Sequence, residues 1–305
     1  MRAAAILGLG CSPKHLAPFQ ANKQIEWRMG MPADRTEVDI VLLFGGDGTI
    51  HRHLGQLVKL GLPVLVVPVG SGNDFAYSLG LKRVRDSLAA WHQFSSGARN
   101  VRAIDLGVIT PIVSASEDSS TPAPRRSAYT YFSCVAGVGL DGEVARRANQ
   151  MPRWLRGHGG YLLGMIPTIF SFAPLLLKIL LPVETAIRGN AEWKVRSHQP
   201  TLIAAFANTP LYGGGMRVAP HAKMDDGLLD ICVVGAVNAL KLFSLFPTVY
   251  VGRHLGIREV EYFQAARVRV ETEEALDVYA DGEYVCQTPV EVSIEPTALK
   301  LVTVA

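Results

Sequence analysis

The sequence lacks paired cysteines and paired histidines. Its four cysteines lie far apart and form no CxxC pair, and its eight histidines include no HxxxH pair. Zinc sites and disulfide scaffolds depend on such pairs, so the sequence argues against both. We expect free, buried thiols in a reducing compartment at Cys11, Cys134, Cys232 and Cys286.

A strong excess of charge is also missing. The formal net charge is only +3 over 305 residues, which disfavours the basic footprint of most nucleic-acid binders, so no nucleic-acid partner is expected. The weak positive bias is compatible with peripheral contact with an anionic membrane. The apolar fraction of 49% is enough for packed cores, and the length suits two domains.

No long apolar run continues without a break. Tyr161–Pro182 is long enough to span a bilayer, but Pro167 and Pro174 interrupt it. The prolines predict a helix near His158–Phe172 followed by a strand near Leu175–Thr185, rather than a transmembrane helix.

The first hundred residues contain short apolar runs typical of buried parallel strands, at Ala3–Leu9, Val38–Phe44 and Pro63–Pro68. Each of the last two is followed by a glycine-rich turn and then by a helical pattern. Strand, turn and helix in this order indicate an open α/β sheet. In such sheets, ligands bind at the carboxyl ends of the strands.

After residue 100 the pattern changes to strands separated by turns, which predicts an all-β, sandwich-like domain. A helix is expected at Ala239–Tyr250, and the last run, Ala298–Val304, is expected to fold back onto the first domain. We therefore predict an α/β domain over 1–103 and 296–305, and a β-rich domain over 104–295. The strand-like runs are Val101–Thr110, Tyr129–Val135, Leu175–Arg188, Glu192–Arg196, Leu202–Asn208, Leu229–Val234, Arg267–Glu271, Val278–Ala280 and Val290–Glu295.

Two glycine-rich loops carry the strongest chemical signal. The first is Gly45-Gly46-Asp47-Gly48-Thr49, and the second is Gly70-Ser71-Gly72-Asn73-Asp74. Adjacent glycines let backbone N–H groups approach phosphate oxygens, and a following helix presents its positive end to the same anion. Asp47 supplies a carboxylate where a nucleotide-bound Mg²⁺ would lie. A tight strand-to-helix turn is the alternative for either loop alone; the pair favours phosphate binding.

GGDGT followed about twenty residues later by PVGSGNDFA resembles the diacylglycerol kinase catalytic domain. That superfamily also holds bacterial lipid kinases, sphingosine kinases and ceramide kinases. The resemblance implies a Rossmann-like N-terminal domain, as in NAD kinases and phosphofructokinases, and a lipid-binding β-domain. Further matching segments are Ile104–Gly107, Gly137–Asp141, Asn208–Gly215, Pro220–Asp230 and Asp281–Glu283.

The resemblance also implies roles for single residues. Asp281 and Glu283 match the DGE motif, which supplies the catalytic carboxylate, and Asp47 belongs to the same catalytic group. Residues 281–283 alone would equally suit a hairpin turn. The implied contacts to ATP are Gly45, Gly46, Asp47, Gly48, Thr49, Ile50, His51, Arg52, Gly70, Ser71, Gly72, Asn73 and Asp74.

Two sets of Mg²⁺ ligands are implied by the same resemblance. Asp226 matches a structural ligand, with the carbonyl groups of Lys223 and Leu228 as partners. An acidic network would hold the catalytic Mg²⁺ through water, and its members are Asp47, Asp74 and Asp105.

The sequence departs from the family pattern in three places, one of which is Ser71, where a Thr is common but the hydroxyl is kept. The motif usually reads GGDGTxNE, but His51 and Arg52 stand at its last two positions. Arg52 either pairs with a phosphate or points to solvent. The family's N-terminal Asn-Pro-x-x-G turn is replaced by residues 11–14, among which Lys14 is a further candidate for a phosphate contact.

The resemblance leads us to expect a Mg²⁺- and ATP-dependent lipid kinase of phospholipid biosynthesis that converts diacylglycerol to phosphatidic acid. We expect a cytoplasmic protein that associates peripherally with the inner face of the membrane; a homodimer is compatible with the sequence. A sphingoid base, a ceramide or another lipid is an alternative acceptor. An NAD kinase-like enzyme and a non-catalytic lipid-binding module are alternative functions. The helices near 158–172 and 239–250 are candidates for the walls of an acyl channel.

Overall fold

The computed structural model describes residues 1–112, 129–140, 142–144, 146, 168, 172–183 and 192–304. The helix predicted near His158–Phe172 lies almost wholly outside these residues. The described helices are α1 (Pro13–Leu16), α2 (Asp47–Leu60), α3 (Asp74–Ser78), α4 (Val84–Ser95) and α5 (Ala239–Leu245). The described strands are β1 (Arg2–Leu7), β2 (Glu26–Met29), β3 (Ile40–Gly45), β4 (Pro63–Pro68), β5 (Val101–Pro111), β6 (Thr130–Phe132), β7 (Val135–Gly139), β8 (Leu175–Pro182), β9 (Trp193–Ala207), β10 (Leu229–Gly235), β11 (Val260–Ala265), β12 (Arg267–Thr272), β13 (Asp277–Ala280), β14 (Glu283–Gln287) and β15 (Val290–Val302).

The N-terminal part is an α/β domain built on parallel strands in the order β4, β3, β1, β2. β3 is buried along its whole length, as its unbroken apolar sequence predicted. The register pairs Gly45 of β3 with Pro68 of β4, so the two glycine-rich loops leave the sheet side by side.

Helix α2 covers this sheet and begins within the first glycine-rich loop. Its buried residues Ile50, Leu54 and Leu57 recur at helical spacing and face the core. The helix ends at Gly61, whose left-handed φ of 63° lets its N–H reach back to the last carbonyl groups.

The C-terminal part is a β-sandwich that shares the long strand β9. The first half of β9 pairs with β8, and its second half pairs with β7 and β10. Phe206, Ile231 and Val270, from three different strands, meet in its fully buried core. The predicted combination of an α/β domain and a sandwich-like domain is confirmed.

The structure differs from the predicted strands and helices where other contacts outweigh the local sequence pattern. The single strand predicted at Tyr129–Val135 is two strands, β6 and β7, which are separated at Ser133 and Cys134. The two short runs predicted within 192–208 form one strand, β9, in which Pro200 is accommodated opposite Leu176. α5 ends at Leu245 and a 3₁₀ helix follows, with a proline in its first turn.

No helix in the described ranges is both long and apolar enough to cross a bilayer. Residues 175–182, from the apolar stretch considered above, form strand β8 inside the sheet.

The last strand, β15, returns to the N-terminal sheet, as predicted. It runs antiparallel to β5 over most of its length, and Lys300 and Leu301 pair in parallel with Pro63 and Val64 of β4. Strand β15 therefore completes the hydrophobic core of the N-terminal α/β sheet.

Leu301→Ala tests the contribution of this return. The Leu301 side chain is 0% exposed, so we expect its truncation to lower the free energy of unfolding by about 2–5 kcal/mol. Urea denaturation measures the change, with the exposed Val304→Ala as the matched control, for which less than about 0.5 kcal/mol is expected. Equal effects of the two substitutions would contradict a structural role for the end of β15.

Candidate active site

The two glycine-rich loops are in direct backbone contact. A Cβ placed on Gly70 would lie 2.4 Å from Gly46 Cα, and one placed on Gly46 would lie 2.4 Å from the Gly72 carbonyl oxygen. The Asp47 N–H donates to the same Gly72 oxygen at 3.1 Å. No residue with a side chain fits at Gly46 or Gly70 without moving the backbone.

Neighbouring residues hold these loops in place. The Asn73 side chain accepts from Gly70 N–H at 3.2 Å and donates to the Gly70 carbonyl at 2.8 Å, which closes the second loop on itself. Thr49 packs against Gly45 and against Gly8, which follows β1. Three strand ends therefore meet at one edge of the sheet, where the backbone is bare enough for a phosphate to approach.

Two carboxylates link the loops to each other and to the second domain. Asp47 accepts from the N–H groups of Asp74 and Phe75 at 3.0 and 3.2 Å, at the start of α3. Asp74 in turn accepts from Gly214 N–H at 2.7 Å. Burial, followed by the charge of Asp74, raises the pKa of Asp47 to about 7, and burial also raises the pKa of Asp74.

Asp281 lies at the tip of the β13–β14 hairpin, and its carboxylate is buried. Asp281 and Gly282 both have positive φ, 50° and 84°, as a two-residue type I′ turn requires. The turn directs the carboxylate into the gap between β6 and β7. Its Oδ1 accepts from the N–H groups of Cys134 at 2.8 Å and Val135 at 3.3 Å.

The other oxygen of Asp281 has three partners. Oδ2 accepts from Ser133 N–H at 2.8 Å and from the Ser133 hydroxyl at 3.0 Å, and it lies 3.1 Å from His51 Nδ1. Residues 281–283 can therefore form a hairpin turn and also contribute a carboxylate to the site, because the turn directs the Asp281 side chain into it.

His51 and Glu283 complete this side of the site. Burial lowers the pKa of His51, but the hydrogen bond to Asp281 and the charges of Asp281 and Glu283 outweigh it, so the pKa is raised. Glu283 is exposed, and its Oε1 would lie 3.1 Å from a Cβ placed on Gly48. A carboxylate and an imidazole therefore stand beside the first glycine-rich loop.

Asp105 belongs to a different set of contacts. Its two carboxylate oxygens accept from the N–H groups of Gly227 and Thr297, both at 2.8 Å, and its side chain is buried. Asp105 thus ties the turn containing Asp226 to the irregular part of β15. The carboxylates that act on one another through their charges are Asp47, Asp74 and Asp281; the role of Asp105 in a water-mediated Mg²⁺ network stays a prediction.

Among the remaining predicted residues, Ile50 is buried in the core and offers only its backbone. Arg52, Ser71 and Lys14 are exposed. Lys223 and Asp226 are exposed on their turn, where Asp226 accepts from Leu228 N–H at 3.1 Å.

The carboxylates of the site suit a Mg²⁺ that is bound to a nucleotide better than a Mg²⁺ that is coordinated by protein side chains alone. Within the described ranges, no three His, Cys, Asp or Glu side chains are grouped as a metal site. However, Asp47, Asp74 and Asp281 concentrate negative charge, which raises the pKa of Asp47. A cation bound through water beside Asp47 and Asp74 fits this excess, because Mg²⁺ usually keeps several waters.

An apolar cleft in the second domain encloses about 820 Å³, including its open mouth. α5, the following 3₁₀ helix and strands β9 to β11 form its walls. Loop 212–216 connects it to the site: Tyr212 and Met216 line the cleft, while Gly214 N–H holds Asp74.

Sequence reasoning missed several residues that build the site, chiefly Ser133, Cys134 and the cleft walls around Val234. The GVGLD and NTPLYGGG segments did mark the neighbourhoods of Cys134 and Gly214. No local pattern marked Ser133, because its partner Asp281 is 148 residues away.

Comparisons with known proteins agree with this architecture. The family described as "Diacylglycerol kinase catalytic domain" matches residues 20–109, and the one described as "YegS C-terminal NAD kinase beta sandwich-like domain" matches residues 134–303. A diacylglycerol kinase from Mycobacterium tuberculosis is 33% identical over 263 residues, covering 86% of this chain and 76% of its own length. A diacylglycerol kinase from Bacillus subtilis is 27% identical over 251 residues, covering 81% and 72%.

A crystal structure of a diacylglycerol kinase from Bacillus anthracis superposes with a TM-score of 0.61 at 16% identity. The superposition covers 99% of this chain and 96% of that one. At this identity the likeness shows a shared fold.

Gly70→Ala tests the contact between the two loops. The added Cβ must displace the Gly46 backbone, so we expect the free energy of unfolding to fall by about 1–3 kcal/mol. Gly55→Ala in α2 is the matched control, because a Cβ there meets nothing within 4 Å and should raise stability by about 0.5–1 kcal/mol. If Gly70→Ala were as well tolerated as Gly55→Ala in urea denaturation, the close approach of the loops would be refuted.

Proposed function

This chain belongs to the diacylglycerol kinase family, and we propose that it transfers the γ-phosphoryl group of ATP to the free hydroxyl of diacylglycerol, giving phosphatidic acid. The coarser assignment, a lipid kinase of this family, follows from the matches over both domains. The acceptor is the further step, and it is supported by the cleft and by the relatives named diacylglycerol kinase.

The observation that carries the proposal is the position of loop 212–216 between two kinds of surface. Both ends of the loop line an apolar cleft, and its middle binds Asp74 beside the glycine-rich loops. A molecule with an apolar body and a polar end could therefore place the body in the cleft and the end beside a bound triphosphate. Few soluble acceptors have that shape, whereas a diacylglycerol does.

On the nucleotide side, the glycine-rich loops would receive the phosphates. The bare backbone at Gly46 and Gly70 and the start of α2 at Asp47 form the anion site. A Mg²⁺ held beside Asp47 and Asp74 would neutralise charge on the transferred group. We propose Asp226, with the carbonyl groups of Lys223 and Leu228, for a second, structural Mg²⁺.

On the lipid side, α5 would serve as both wall and lip of the cleft. Leu242, Leu245 and Phe246 line the interior, whereas Leu240 on α5 is 75% exposed and Val251 at the end of the following 3₁₀ helix is 64% exposed. Exposed apolar side chains on the elements that form the walls of an apolar cleft suit contact with a bilayer. We propose that the protein works at the inner face of the membrane through this lip.

The two rival functions predict different chemistry. An NAD kinase-like enzyme would phosphorylate a soluble, polar acceptor, for which an apolar cleft offers no polar partners. A non-catalytic lipid-binding module would have no use for two glycine loops in backbone contact. Sphingoid bases and ceramides remain chemical alternatives, because they also join a hydroxyl to long apolar chains.

Transfer of ³²P from γ-labelled ATP tests the proposal across a panel of acceptors. The panel contains diacylglycerol, monoacylglycerol, ceramide, sphingosine, undecaprenol, phosphatidylglycerol and NAD⁺, each with and without Mg²⁺. We expect Mg²⁺-dependent labelling of diacylglycerol above all others. Labelling of NAD⁺ alone would overturn the lipid assignment, and lipid binding without any transfer would favour the non-catalytic module.

Val234→Phe tests the cleft as the site of the acyl chains. Val234 lines the cleft, paired with Ile203 of β9 and Val260 of β11, which line it too. A larger side chain fills acyl space, so we expect KM for long-chain diacylglycerol to rise about tenfold or more, with KM for ATP unchanged. The control is Val195→Phe on the exposed part of β9 (46% exposed). An unchanged KM for diacylglycerol in Val234→Phe would place the acyl chains elsewhere.

A further inference from the structure

We propose that the imidazole of His51 accepts the proton of the lipid hydroxyl, through Nε2, and that Asp281 positions and charges this imidazole instead of meeting the substrate. The inference rests on the proposed function. It reassigns the proton acceptor within the site from a motif carboxylate to a histidine that replaces the asparagine of the usual GGDGTxNE pattern.

The Asp281 carboxylate has no free position at which a substrate hydroxyl could bind. Its side chain is 0% exposed, and its two oxygens are engaged with five groups: three backbone N–H donors, the Ser133 hydroxyl and the His51 ring. A carboxylate offers about four lone-pair positions. A lipid hydroxyl would have to displace one of these partners before Asp281 could accept its proton.

The hydrogen bond to Asp281 fixes the tautomer of His51. An ionised carboxylate only accepts hydrogen bonds, so Nδ1, at 3.1 Å from Asp281 Oδ2, carries the hydrogen. The Nε2 lone pair is then the free basic position of a neutral ring. Within the described residues no hydrogen bond engages Nε2, and the His51 side chain keeps 11% exposure to solvent.

The position of His51 suits a reacting hydroxyl. It lies one helical turn after Asp47, where α2 leaves the first glycine-rich loop, and Ile50 beside it anchors the helix in the core. Glu283 lies next to Gly48 and acts on the His51 ring through its charge. The ring is therefore close to both the first glycine-rich loop and the exposed carboxylate of the hairpin.

The surrounding charges favour a proton on this ring. Asp281 and Glu283 act on it from the β13–β14 hairpin and outweigh the effect of burial, so the pKa of His51 is raised. The other titratable group at the junction of β6 and β7 is the Cys134 thiol, whose pKa is raised by burial and by nearby carboxylates, which keeps it neutral. Thus, within the described residues, the charges that act on the imidazolium formed in the reaction are those of the Asp281 and Glu283 carboxylates.

The step balances without any further reactant. The lipid oxygen forms a bond to the γ-phosphorus as the bond from that phosphorus to the β–γ bridging oxygen breaks, and ADP leaves with the electron pair. The hydroxyl proton passes to Nε2 of neutral His51. The resulting imidazolium is stabilised by the Asp281 carboxylate, and it releases its proton to water after the products leave.

The test is the pH dependence of single-turnover phosphorylation of diacylglycerol, between pH 5 and 9, in three proteins. A base must be neutral, so wild-type turnover should fall as the pH drops through the His51 pKa. His51→Asn cannot accept a proton, so we expect turnover about 100-fold lower and loss of the part of the acid limb that follows the His51 pKa. Protonation of Asp47, whose pKa is raised to about 7, leaves an acid limb of its own in both proteins. His53→Asn, two residues along the same helix, is the matched control and should keep the wild-type profile.

A second measurement separates positioning from chemistry. Imidazole NMR of the folded protein gives the His51 pKa without any assay of activity. Ser133→Ala removes one partner of Asp281 and keeps the His51 hydrogen bond, so it should leave a raised pKa, whereas Asp281→Asn should lower the pKa and shift the acid limb of turnover by the same amount.

Each outcome decides the proposal. A pH profile of His51→Asn with the same shape as that of the wild type overturns it, as does turnover that rises with falling pH, because a cationic His51 would then be the active form. If the protein labels diacylglycerol but the pH profile of turnover is the same in His51→Asn as in the wild type, this inference is refuted and the kinase assignment stands. Absence of lipid phosphorylation by the wild-type protein at every pH overturns both.

Discussion

The structure depends on a backbone-to-backbone contact between two loops. Gly46 and Gly70 approach so closely that a single Cβ on either would collide with the other loop. Parallel pairing of β3 with β4 brings the loops to the same edge of the sheet, and the absence of side chains lets them touch. The backbone surface proposed to receive the phosphates, the start of α2 and the placement of Asp47 and Asp74 all follow from this contact.

Negative charge is concentrated where the two domains meet. Asp74 in the first domain is held by Gly214 from the second, and Asp281 from the second domain holds His51 from the first. These two bonds cross between the domains in opposite directions, so the glycine-rich loops and the apolar cleft are positioned relative to each other by carboxylates. Backbone N–H donors satisfy much of this charge, and the remaining excess explains why a nucleotide-bound cation suits the site.

Much of this could be predicted from the sequence because the signals are local. The apolar run of residues 40–44 and the glycines that follow it lie next to one another, so strand, turn and helix could all be assigned. The return of Leu301 to the first sheet was also predictable, because an apolar run at the chain end needs a partner. The short, exposed strands β2 and β14 were missed, since their sequences show no clear apolar pattern.

What could not be predicted depends on contacts distant in sequence. The apolar run at 129–135 reads as one strand, and only the Asp281 carboxylate, arriving from a hairpin far along the chain, explains its division at Ser133 and Cys134. The same contacts occupy Asp281 and leave His51 with a free ring nitrogen, which no motif indicates. Asp105 is a further example: its two oxygens accept from the backbone N–H groups of Gly227 and Thr297, contacts that the motif around Asp105 does not indicate.

The central claim is that the two loops hold one triphosphate against the mouth of an apolar cleft. A crystal structure with a non-hydrolysable ATP analogue, Mg²⁺ and a diacylglycerol tests it most directly. The account predicts phosphates over residues 45–49 and 70–72, acyl chains in the cleft beside Tyr212, and the lipid hydroxyl within hydrogen-bonding distance of His51. A nucleotide bound away from the glycine loops, or a lipid bound outside the cleft, would contradict it.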